Sequence, residues 1–61
     1  MTNEERSHIM TANEVADYLR IHKSTVYRMA KQRQMPGTRI GNQWRFRRDA
    51  IDRWLSAKEE Q

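Results

Sequence analysis

Apolar residues recur along this chain in two different rhythms, and the change from one to the other marks its parts. Val15, Ala16 and Leu19 stand at intervals that gather them on one face of a helix. Thr11 and Glu14 just ahead of them have the spacing of a capping box, in which hydroxyl and carboxylate each take up a free backbone N–H at the helix start. Met10 and Val15 then occupy the two positions of a hydrophobic staple. The pattern predicts a first helix from Ala12 to Leu19. Arg20, Ile21 and His22 interrupt it, and Val26, Met29 and Ala30 restore it at intervals of three and four. A second helix follows, ending near Gln32 or Arg33, with its start set by His22, a poor cap, or by Ser24, a good one. Two helices around so short a turn are the arrangement used to enter a DNA major groove, although any small helical bundle has such a corner.

Pro36 and Gly37 stop the second helix, and from Thr38 to Phe46 the period falls to two, around a turn at Gly41 and Asn42. A two-residue loop would set Ile40 opposite Gln43 and put Ile40 and Trp44 on opposite faces. A three-residue loop of Gly41, Asn42 and Gln43 pairs Ile40 with Trp44 and Thr38 with Phe46, gathering the apolar residues on one face. The second is the expected register, because the buried face fixes register. It sets Arg39 directly across from Arg45, a like-charge pair costing roughly 0.2–1 kcal/mol. A phosphate backbone lying against the hairpin would turn that repulsion into attraction. The third helix is expected to begin near Arg48 or Asp49, where an acid suits the positive end of the helix dipole, with Ile51, Trp54 and Leu55 as its apolar stripe. Trp44 and Trp54 have the chemistry of base-stacking platforms, but both fall on core-facing positions and are expected to be structural. Residues 1–8 read as a flexible tail, 9–57 as the folded domain and 58–61 as a frayed end.

With 61 residues, 36% of them hydrophobic and no cysteine, the chain has room for one core and no interdomain cleft. No apolar run is long enough for a membrane span or a signal peptide. The lack of cysteine suits a reducing cytoplasm, the expected location. Charge is distributed in blocks. Residues 1–22 and 49–61 each sum to −2. Between them Lys23, Arg28, Lys31, Arg33, Arg39, Arg45, Arg47 and Arg48 contribute +8 with no acid, so the total is +4. Natural surfaces usually intersperse both signs, whereas a polyanion such as duplex DNA gains free energy from a cationic block by releasing condensed counterions. Catalysis has little to work with. His8 and His22 stand apart, no acid cluster or glycine-rich phosphate loop accompanies them, and no hydroxyl nucleophile has an organised base. The expectation is a protein that is not an enzyme and takes no metal or cofactor.

On a wheel of 100° per residue, Ser24, Arg28 and Lys31 lie opposite the Val26 core stripe, with Thr25 and Tyr27 flanking it. An arginine can grip guanine O6 and N7 with two hydrogen bonds, discriminating by about 1–3 kcal/mol. Arg28 is therefore the first candidate for reading sequence, and Ser24, Thr25, Tyr27 and Lys31 are candidates for base or backbone contacts.

The run from Met10 to Leu55 resembles the excisionase-type, MerR-like winged helix-turn-helix family. The resemblance is carried by Ser24-Thr25-Val26-Tyr27-Arg28, the Met35-Pro36 exit, Ile40-Gly41 with Trp44-Arg45-Phe46, and Ile51 with Trp54-Leu55. It implies a mainly α fold with a small β-hairpin, in the order helix, helix, two-stranded wing, helix. By position it assigns Lys23, Ser24, Thr25, Tyr27, Arg28 and Lys31 to a recognition helix in the major groove. Arg39, Asn42, Arg45 and Arg47 go to a wing on the adjacent backbone or minor groove. His22 stands where the family often has a serine cap, Arg33 where a glycine often closes the helix, and the coiled coil of MerR-type dimers is missing. A module of this size buries about 600–1,000 Å² on DNA, so several copies are expected to cooperate on adjacent sites. The implied roles are an excisionase-like recombination directionality factor, with an integrase or recombinase as partner, or a small transcriptional regulator. The rival reading is a protein-interaction module that docks an acidic partner on the cationic face.

Overall fold

The computed structural model describes residues 8–60, in the order β1 (Ile9–Met10), α1 (Ala12–Leu19), α2 (Lys23–Lys31), β2 (Thr38–Ile40), β3 (Gln43–Arg47) and α3 (Arg48–Glu59). The expected tail over 1–8 lies outside the described residues except for His8, whose carbonyl accepts a hydrogen bond from Arg48 N–H at 3.0 Å.

The first helix starts as its spacing predicts. Thr11 Oγ1 accepts from Glu14 N–H at 3.1 Å, and Thr11 N–H donates to Glu14 Oε1 at 2.8 Å. Met10 and Val15 are both buried. The helix closes through Arg20, which adopts φ 59° and lets the next residue, Ile21, donate to Ala16 O at 3.0 Å. The second helix closes the same way. Arg33 takes φ 61° and donates to Ala30 O at 3.1 Å, and Gln34 N–H reaches Met29 O at 2.8 Å. These are the two bonds of a Schellman closure, with arginine in the place where glycine is the usual choice. A side chain in the left-handed region costs roughly 1–2 kcal/mol.

Between the two helices lies the three-residue turn Arg20 to His22. His22, not Ser24, caps α2, and its side chain makes no capping bond. Its extended backbone, φ −71° and ψ 146°, suits a hydroxyl cap. His22→Ser should therefore stabilise the fold by about 1 kcal/mol. Thermal unfolding should show this as a rise in Tm of about 4–8 °C; an unchanged Tm would mean that water already serves these amides.

The hairpin differs from the expected register. Thr38 pairs with Arg45, Arg39 with Trp44 and Ile40 with Gln43, so the loop is the two-residue Gly41-Asn42. Gly41 has φ +64° at the first loop position, where a type II′ turn favours glycine. The reason lies on the other edge of β3, where β1 sets Met10 opposite Phe46 and Ile9 opposite Arg47. Met10 fills the core face beside Phe46, so Ile40 is not needed there and stays 62% exposed on the outer face. The expected wing of two strands is thus part of a three-stranded sheet in the order β1-β3-β2. Arg39 does not face Arg45, and the like-charge repulsion inferred from that pairing does not arise.

The core consists of Met10, Ala12, Val15, Ala16, Val26, Ala30, Met35, Phe46 and Ile51, with no polar residue buried among the described residues. Helix α3 follows β3 without a loop and runs to Glu59, beyond the expected end near Ala57. Its Trp54 Nε1 donates to Gln34 O at 2.9 Å, and its Asp52 accepts from Tyr18 OH, which ties α3 to the turn after α2 and to α1.

Candidate nucleic-acid interface

Helix α2 buries Val26 and Ala30, and this orients the rest of its surface. Lys23, Ser24, Tyr27, Arg28 and Lys31 are exposed. Ser24, Arg28 and Lys31 share the side opposite Val26, since the 100° helical step puts them within about 60° of one another. Thr25 sits on the other flank, half-buried beside Leu19, Met29 and Leu55 in a groove between the helices. It is not brought together with the exposed group. The helix contains no acidic residue.

The wing residues fall on two faces. Arg39 shares the inner face with Trp44 and Phe46, whose rings stack with centroids 6.3 Å apart. Arg45 and Arg47 are on the outer face with Ile9, Thr38 and Ile40, and Asn42 is exposed in the turn. Arg45 is half-buried, and its guanidinium donates to Trp44 O at 3.0 Å and to Gln43 Oε1. Arg47 pairs with Asp49 at 3.5 Å while its side chain remains 63% exposed. An exposed pair of this kind contributes only about 0–1 kcal/mol, so Arg47 can exchange its carboxylate for a phosphate at little cost. Arg48 is engaged elsewhere, 3.9 Å from Asp52 and stacked 5.0 Å above the Tyr18 ring. Among the described residues, Lys23, Arg28, Lys31, Arg33 and Arg39 have no ion-pair partner.

By sequence Arg33 counts in the cationic block and as a helix-closing position, but not among the contact residues. In the structure it lines one groove together with Lys31 and Arg39, and with Trp44 and Trp54. The helical wheel could not place it, because the wheel ends where the helix does. Trp44 and Trp54 are half-buried: each packs on the core, as expected, and each also shows part of its surface to this groove.

Among the described residues no group of three or more His, Cys, Asp or Glu is placed to hold a metal ion, and no helix is long and apolar enough to cross a membrane. Three helices with a small antiparallel sheet, a tight corner between the first two and a hairpin before the third define a winged helix-turn-helix architecture. A family profile described as a helix-turn-helix domain matches residues 9–59, so the chain belongs to that family, which includes excisionase-like DNA-binding proteins. Membership makes DNA the expected ligand. Comparison with curated proteins and with solved structures found no match.

Proposed function

We propose that the protein binds double-stranded DNA by laying α2 in the major groove and the β2–β3 wing against the adjacent backbone or minor groove. The observation that supports this best is the exposed side of α2, where Arg28 and Lys31 stand with the Ser24 hydroxyl and no acid. The carboxylates of α3 that the structure pairs, Asp49 and Asp52, are turned to Arg47, Arg48 and Arg53. Lys23 and Tyr27 border this surface. Arg28 reads bases, while Ser24, Tyr27 and Lys31 contact bases or phosphates. Arg39, Arg45 and Arg47 hold backbone phosphates, with Asn42 at the wing tip. Thr25 is the weakest of the assigned contacts, since it faces the groove between the helices.

A module this small makes too little contact for high specificity alone, so copies occupy adjacent sites and organise the DNA. The role is that of an excisionase-like, MerR-like factor that directs an integrase or recombinase, or of a small transcriptional regulator using the same surface, acting in the cytoplasm. Selection from a randomised duplex pool at two salt concentrations tests affinity, specificity and site spacing together. Neutralising some five phosphates should give a log–log slope of affinity against salt of about −4 to −5. A slope near zero would point instead to an acidic protein partner and overturn the DNA reading.

A further inference from the structure

We propose that the groove between the end of α2 and the inner face of the wing seats one backbone phosphate, held jointly by Lys31, Arg33 and Arg39. The inference rests on the DNA-binding reading and adds to it a site and a residue, Arg33. Three successive segments bring these cations together. Lys31 ends the helix, Arg33 forms the left-handed turn after it, and Arg39 is the middle residue of β2. All three are exposed, none has a carboxylate partner among the described residues, and no acid lines the groove. Like charges gathered in this way repel one another until an anion enters. A phosphodiester offers two non-bridging oxygens that can accept from two guanidinium forks and an ammonium together.

Two features hold the seat in place. The two-residue hairpin loop sends Arg39 inward, onto the Trp44 side of the sheet and away from Arg45. Arg33 is kept at φ 61° by the bonds that close α2, and the following carbonyl, Gln34 O, is fixed by Trp54 Nε1 at 2.9 Å. Glycine would occupy this backbone position with less strain. The arginine there gives the groove lining a cationic residue that glycine would not. The adjoining indoles of Trp44 and Trp54 displace water from the walls and so reduce the screening of a charge pair formed there. Because Arg39 and Arg45 lie on opposite faces of the sheet, Arg39 acts with the end of α2 and Arg45 reaches a different phosphate.

The test uses the intact chain and the duplex recovered from the pool, with one backbone phosphate at a time replaced by a neutral methylphosphonate. R33Q and R39Q should each weaken binding about tenfold at low salt, equally for every sequence. One methylphosphonate position should abolish both penalties while leaving that of R45Q intact. R33G removes the charge while relieving the backbone, so it should bind as weakly as R33Q yet unfold no earlier than wild type, which separates lost contact from lost structure. The seat is overturned if the R33Q and R39Q penalties disappear at different positions, or at the position that also silences R45Q. It is overturned too if neither substitution weakens a duplex whose salt slope is steep; DNA binding then stands without it. A pool that yields no salt-dependent duplex removes the seat and the DNA reading together.

Discussion

Phe46→Ala should leave most of the chain unfolded at room temperature. The side chain is 1% exposed, faces Met10 across the sheet, and stacks on Trp44. Its ring also lies against Gly37, where a Cβ would come within 2.6 Å of the ring. The backbone entering the wing is therefore built on this side chain, and the site cannot collapse around a smaller one. Phe→Ala changes in cores cost about 3–5 kcal/mol. A domain of this length has little more stability than that, since it buries only about 60% of its unfolded surface and contains no disulfide. Urea titration followed by far-UV circular dichroism checks the expectation, and DNA binding should vanish with the structure. A variant with the wild-type urea midpoint would show that the core lies elsewhere.

Arg28→Ala should have the opposite character, with little effect on stability and a large effect on selectivity. The side chain is exposed and makes no ion pair among the described residues. If it grips a guanine, its loss should relax preference at one base pair by about 1–3 kcal/mol, or roughly fivefold to 150-fold. Arg45→Ala, on the outer face of the wing, should weaken all duplexes alike. Binding measured against a panel of single-base variants separates the two. Equal losses for both substitutions on every duplex would remove Arg28 from the reading role.

Arg39 and Arg45 show how the hairpin register distributes charge over the wing. Had Arg39 faced Arg45, both would have addressed the same stretch of backbone. In the observed register the inner arginine, Arg39, joins Lys31 and Arg33, and Arg45 is left on the outer face with Arg47 and its partner Asp49. The wing then presents cations on both faces of the sheet.

The helices could be read from the chain alone because their signals are local. The capping box of Thr11 and Glu14, the stripe of Val15, Ala16 and Leu19, and the repeat of Val26, Met29 and Ala30 each lie within a few residues, and hydrogen bonds over the same distance realise them. Those signals also placed Ser24, Arg28 and Lys31 on one outward side. The cap of α2 was ambiguous because Ser24 had the better side chain, while the geometry of the turn after Arg20 set the start at His22. Strand pairing depended on more distant residues. Ile9 and Met10 are too few to show alternation, yet their pairing with Arg47 and Phe46 settles which face of β3 is buried. Alternation treats every apolar residue as needing burial and so assigns Ile40 to the inside; Met10, from the far end of the domain, already fills that place. Sequence patterns of this kind report which side of a helix is apolar, because the helix makes its own hydrogen bonds. A strand's partner, its register, and therefore which arginines meet at the groove follow only when the whole core has closed.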